Sequence, residues 1–326
     1  MIVPDHWAEA VRQHRSKGRQ VTVRRFGWSE TSEADAVGMA EQRADEALRR
    51  IVQGEKLATR EPKVAYNGAS GVPIREEVLA RHGEEVITRN AYGARCLNSP
   101  RALFADVDFE PRETLAGILW TFGALACASV LAGVLNRSWG MALSFIVLSA
   151  IFATSVRSLA GQVLVRLQGG YEKLARRRIA RFVSTHAAWN LRLYRTPAGY
   201  RVLATHRPFD ASGQDVQDFF EAIGADPVYV RMCVNQRCFR ARLTAKPWRI
   251  GLDSRIRPRP GVWPVRAEHM EKRRQWIASY EARAASAAAC HFVEALGSGV
   301  IDPEIRRVMD LHDRLSGALE SRRPLA

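Results

Sequence analysis

Two apolar runs without a single charge stand back to back near the middle of the chain, and they constrain what the rest of it can fold into. Leu115–Leu135 reads LAGILWTFGALACASVLAGVL; as a helix it rises about 30 Å, the hydrocarbon thickness of a bilayer. After the polar turn Asn136-Arg137-Ser138, Trp139–Val156 reads WGMALSFIVLSAIFATSV and ends at Arg157. The pair predicts a two-helix transmembrane hairpin. The alternative is a buried helical hairpin of a soluble protein, where adjacent charge-free runs of this length are rare. Gly117, Gly123, Ala124, Ala128, Ala132 and Gly133 supply small residues for close helix packing, and Trp120 and Trp139 suit opposite interfaces.

Charge sets the expected orientation. Arg157–Arg201 carries ten Lys and Arg against one acid, Glu172, whereas the turn between the spans carries only Arg137. The positive-inside rule therefore predicts both termini in the cytoplasm and the protein in the cell (inner) membrane. Lys173–Arg181 is expected to lie along lipid headgroups, with nucleic-acid binding as the alternative. The formal net charge of +15 favours an anionic partner, either the lipid leaflet or a nucleic acid. The opening residues, MIVPDHWAEAVRQHR, lack the apolar stretch of a cleavable signal. Five scattered cysteines, Cys127 inside a span, are not a disulfide framework and fit a reducing compartment.

The flanking sequence predicts an α+β protein with the hairpin inserted into it: a mainly antiparallel sheet flanked by N- and C-terminal helices. Residues 1–61 are expected to be mostly helical, with Ser29, Thr31 and Ser32 offering caps before the run Val37, Ala40, Ala44, Leu48, Ile51. Residues 62–112 form the first part of the α+β domain, with a strand at Lys63–Tyr66, a turn at Asn67–Gly71, a helix start at Ile74–Val78 and a buried strand at Ala102–Ala105. The hairpin region is 113–160. Residues 161–264 form the second part: a basic helix over Gln162–His186, then a hairpin of Leu191–Arg195 and Tyr200–His206 across Thr196–Gly199. A helix at Asp215–Ile223 and strands at Val228–Met232 and Phe239–Leu243 follow. Residues 265–326 are expected to be helical, with Met270 to Phe292 in one run and a last helix begun by Asp302-Pro303-Glu304.

Candidate chemistry centres on Asp106 and Asp108. Acids at i and i+2 of a strand share a face, and Mg²⁺ or Mn²⁺ suits a pair of carboxylates completed by phosphate oxygens and water. The plainer reading is that they end a strand and pair with a local arginine such as Arg95, Arg101 or Arg112. Arg240 and Arg242 share a strand face and are candidate phosphate contacts, as is His206; a basic face on the bilayer and a capping histidine are the respective alternatives. Cys233 and Cys238 have the spacing C-x4-C but no second pair for zinc. His312, in an apolar helical stripe, reads as a core histidine. The chain has no P-loop, no G-x-S-x-G and no G-x-G-x-x-G.

The order LFADVDFE, LYRTPAGYRVLATH, WRIGLD resembles the core of archaeo-eukaryotic primase-like (prim-pol) proteins. The resemblance implies two-metal nucleotidyl transfer on an RRM-like sheet, with Asp106 and Asp108 as metal ligands, Asp253 as the third acid, and Thr196–Gly199 in place of the family's T-P-S-G turn. The family's histidine falls near Arg201 or Val202, and His206 comes several residues later. Haloacid-dehalogenase-like phosphatases are disfavoured because Phe109-Glu110 replaces their G-[TV], whereas nucleotide-sugar glycosyltransferases share the bare D-x-D. Two functions stand open: a membrane-anchored protein binding a metal–nucleotide or other phosphate ligand, and a non-enzymatic membrane-tethered scaffold whose basic surface holds a protein, nucleic acid or anionic lipid.

Overall fold

A computed structural model describes residues 3–16, 18–61, 72–109, 115–258 and 263–326. The strand expected at 63–66 and the turn at 67–71 lie outside them. The chain divides into two compact units, Met1–Val107 with Phe182–Ala326, and Asp108–Arg181.

The first unit is α+β with antiparallel strand pairs. Its N-terminal region corrects the expectation of a mostly helical 1–61. Strands β1 (His6–Ser16) and β2 (Arg19–Ser29) form a two-stranded ribbon, paired from His6↔Ser29 to Ser16↔Arg19. Alternation of Val21, Val23 and the aromatic residues of β2 carries the β signal there. Only then does α1 (Glu33–Val52) begin, capped by Ser32, whose side chain accepts from Asp35 N–H. Its buried face is Ala36, Ala40, Ala44 and Ala47. Small residues let the helix sit close on the ribbon, and Gly27 is the point of closest approach: a Cβ there would lie 2.1 Å from the Ala36 carbonyl oxygen.

Two four-stranded sheets follow, with orders β10-β7-β8-β6 and β3-β4-β5-β9. Their strands are β3 (Glu77–His82), β4 (Glu85–Arg89), β5 (Arg95–Ser99), β6 (Phe104–Asp108), β7 (Asn190–Thr196), β8 (Gly199–Ala204), β9 (Phe239–Arg242) and β10 (His291–Gly297). Each sheet combines strands from before and after the apolar hairpin. The β7–β8 turn is the Thr196↔Gly199 closure read from the sequence.

Three expected elements differ. Ile74–Val78 is not a helix start: Ile74–Glu76 has no regular structure and Glu77-Val78 begin strand β3, which Gly83 (φ +68) turns directly into β4 as a hairpin. Val228–Met232 lies in a helix, not a strand. The Asp226 side chain caps α6 (Pro227–Gln236) through Val228 N–H with proline in the first turn, and Tyr229, Met232, Cys233 and Gln236 bury one helical face. The C-terminal region is not wholly helical: α7 (Ala267–Ala284) stops, and Phe292 lies on β10 opposite Tyr194 of β7. The last helix, α8 (Pro303–Ser316), is capped by Asp302 as its sequence indicates. Helix α5 (Gln214–Ile223) also matches, with Val216, Phe219, Phe220 and Ile223 buried.

The second unit holds α2 (Leu115–Leu135) and α3 (Trp139–Leu167), both long and apolar enough to cross a membrane. Their contact is lined with small residues: Ser129 and Gly133 meet Ala142, Ser149 and Ala153, with the Ser129 and Ser149 hydroxyls 3.3 Å apart. Each serine also bonds a carbonyl one turn back in its own helix. At the other end of α2 the Arg157 guanidinium lies against Gly117, so the first charge of α3 sits level with the start of α2. Helix α3 runs beyond Arg157 because arginine does not break helices; Gly169 and Gly170, at φ +91 and +94, do. The basic helix expected over 162–186 is thus the end of α3 followed by α4 (Tyr171–Thr185). On α4, Lys173, Arg177 and Arg178 are exposed while Ala175, Ile179 and Phe182 are buried.

Candidate functional site

Strand β8 reads Gly-Tyr-Arg-Val-Leu-Ala and is buried along its whole length, so its one charge must be matched inside the protein. Arg201, 1 % exposed, meets Asp106 of β6 with two parallel contacts, Nε to Oδ1 at 3.0 Å and Nη2 to Oδ2 at 3.5 Å. Its Nη1 donates to the Arg242 carbonyl oxygen at 2.8 Å, which ties β8 of one sheet to β9 of the other. Burial alone would lower the Arg201 pKa; Asp106 overrides it and holds the guanidinium firmly charged.

Beyond Arg201 the polar chain continues into α8. Arg201 Nη1 lies 3.4 Å from His312 Nε2, and His312 Nδ1 lies 3.0 Å from Asp313 Oδ1. Asp313 accepts from Arg192 Nη2 at 2.7 Å, and Arg192 Nε donates to the Tyr194 hydroxyl at 2.8 Å. The Cys290 thiol is 3.8 Å from His312 Nε2 and 3.5 Å from Ser316 Oγ. Burial would raise the Cys290 pKa, but His312 and Arg201 bring it down on balance; burial would lower that of His312, but Cys290 and Asp313 push it up. Two arginines and two aspartates balance in this core, with the thiol and imidazole between them. Among the described residues this network was missed at the sequence level, save for His312 as a core histidine. The signal available was one arginine in the middle of an otherwise apolar strand.

The expected site residues are only partly brought together. Asp106 is engaged by Arg201 yet keeps 36 % side-chain exposure, and Asp108 is exposed at the end of β6. Asp253 is exposed in the loop after the 3-10 turn Pro247–Ile250. Arg240 is not a surface phosphate contact: it is buried, pairs with equally buried Glu76 at 2.5 Å, and Glu76 also accepts from Thr88 Oγ1 at 2.7 Å. Arg242 is half-buried and opposite Cys96 of β5. His206 packs on Trp189, its Nδ1 accepts from Asn190 N–H at 3.3 Å, and burial and then Arg207 push its pKa down, so it is held as a neutral acceptor. Cys233 and Cys238 are both buried free thiols, and burial pushes Cys238 up to about 11.

Arg201 already occupies one side of the Asp106 carboxylate, so a divalent ion there would have to share the carboxylate with a buried guanidinium or displace it. The residues present therefore fit a structural ion pair better than a two-carboxylate Mg²⁺ or Mn²⁺ site, and among the described residues no three His, Cys, Asp or Glu side chains cluster as a metal centre. Compared with family models, curated proteins and solved structures, the chain matches none.

Proposed function

We propose that the protein is a membrane-anchored, non-enzymatic binding protein. Helices α2 and α3 cross the cell (inner) membrane as a hairpin, both termini are cytoplasmic, and the α+β unit is a scaffold held at the inner leaflet. One observation carries this reading: the two most apolar helices keep most of their surface uncovered, with 11 % and 17 % of their apolar windows buried. Trp120, Leu131, Leu143 and Ile151 are each well over half exposed. In water each such side chain forgoes about 1.5–3 kcal/mol of burial, and hydrocarbon removes that penalty. The exposed Lys173, Arg177 and Arg178 follow the hairpin in sequence and supply cations for anionic headgroups on the side of the Arg157 end. Alkaline carbonate extraction of membranes carrying the full chain tests the reading. The protein is expected in the membrane pellet; release into the supernatant would refute it.

The competing reading, a metal–nucleotide at Asp106 and Asp108 as the prim-pol resemblance implies, draws support from the residual exposure of Asp106. It requires Mg²⁺ or Mn²⁺ to share the Asp106 carboxylate with Arg201 or to displace it. Divalent-dependent nucleotide binding that is lost on replacing both aspartates by asparagine would favour it over the scaffold.

A further inference from the structure

A cleft of about 570 Å³ opens against the second sheet, lined from β3, β4 and β5, in the size range of small-molecule sites. Its apolar wall is Leu79 of β3, Ile87 of β4, Leu243 just beyond β9, and Leu311 and Leu315 from α8. Its polar wall is cationic. Arg89, Arg95 and Arg314 line it together with His82, against one acid, Glu281 of α7, which is shared by Arg89 at 2.9 Å and Arg95 at 2.5 Å. Arg89 reaches one further carboxylate, Glu77 at 3.7 Å, and Glu77 is itself held by Arg273 at 2.7 Å. The cations outnumber the acid that lines the cleft with them. Arg314 is exposed and pairs with no acid among the described residues.

An apolar wall facing an excess of guanidinium groups selects a molecule with both characters. We infer that this cleft binds a small anionic amphiphile, a carboxylate or phosphate monoester bearing one apolar chain. The head meets Arg314 and Arg95, where charge-assisted bonds from a planar fork are strongest, and the chain lies along Ile87, Leu243 and Leu315. Octyl phosphate would place one anionic head and one short chain in the two halves of the cleft. The inference does not depend on the membrane anchor, since every lining residue lies in the α+β unit.

The test is calorimetric titration of the full chain in zwitterionic nanodiscs, with empty discs subtracted. The probes are octyl phosphate from solution, lysophosphatidate supplied in the disc, inorganic phosphate and octanol. Saturable binding of octyl phosphate is expected, with weaker binding of inorganic phosphate and of octanol. Saturation by lysophosphatidate alone would equally support the site and identify the membrane as the ligand's source. R314Q, at an exposed position that leaves the fold intact, should weaken binding about tenfold or more. L315Q should weaken octyl phosphate while leaving inorganic phosphate unchanged. Absence of saturable binding by either amphiphile, inorganic phosphate binding as tightly as octyl phosphate, or wild-type affinity in R314Q would each overturn the inference.

Discussion

Four arginines, Arg89, Arg201, Arg240 and Arg273, are buried with carboxylate partners, which changes the meaning of the chain's basic composition. Part of what reads in the sequence as phosphate-binding charge is internal wiring. For Asp106 the consequence is measurable. Asp106→Asn leaves Arg201 charged and buried, and the partly solvated position of the carboxylate puts the cost at the lower end of the range, about 3 kcal/mol, read as a lowered denaturation midpoint. Replacing both, Asp106→Leu with Arg201→Met, should recover much of that loss. An Asp106→Asn midpoint equal to wild type would mean that the carboxylate is not committed to the fold. His312 gives a second test. Its folded pKa is raised above 6.5, so the stability it contributes is complete below about pH 6.5 and is lost as pH rises through the folded value. Asp313 is lowered and acts oppositely, its contribution falling away as pH drops from about 3.8 through the folded value. Cys290→Ser removes one group that raises His312, so the alkaline loss of stability should begin at lower pH than in wild type. A midpoint–pH curve unchanged by Cys290→Ser would show that the thiol does not act on His312.

At the scale of elements, legibility followed the strength of local signals. The first apolar span, the Thr196–Gly199 turn and the Asp302-Pro303 helix start each carry several cues that agree, and each is found where the sequence puts it, whereas the second span starts at Trp139 as expected but continues as helix past Arg157 to Leu167. The failures were conflicts between cues. At Val228–Met232, β-branched residues argued for a strand, but Asp226-Pro227 supplied a cap and a first turn, and burial at helical spacing decided for α6. In the N-terminal ribbon the helical run of α1 was extended backward over an alternating stretch, although Gly27 marks a backbone approach that a continuous helix does not need. The candidate site was legible only as residues. That Asp106 faces Arg201 is a pairing across 95 positions, and no local pattern encodes it. Gly27→Val tests the packing of α1 on the ribbon. With the Ala36 carbonyl oxygen 2.1 Å from the added Cβ, the helix must move away, at a cost of about 1–3 kcal/mol or more. Limited proteolysis should then cut within α1 faster than in wild type. Equal protection would contradict the close approach.

For the whole molecule, the two units differ in content. Asp108–Arg181 contains the apolar helices, and the rest contains the sheets, the buried ion pairs and the cationic cleft. Inserting an apolar hairpin between β6 and β7 is compatible with an α+β fold because strands on both sides of it complete the same sheets. The most direct test of anchoring is side-specific thiol labelling in intact cells. Four native cysteines, Cys96, Cys233, Cys238 and Cys290, are buried, and Cys127 lies within α2, so wild type supplies a low background for a membrane-impermeant maleimide. Asn136→Cys in the α2–α3 turn should be labelled from outside, whereas Arg322→Cys near the C-terminus should react only after the cells are opened. Labelling of Arg322→Cys in intact cells, or protection of Asn136→Cys until lysis, would contradict a hairpin with both termini in the cytoplasm.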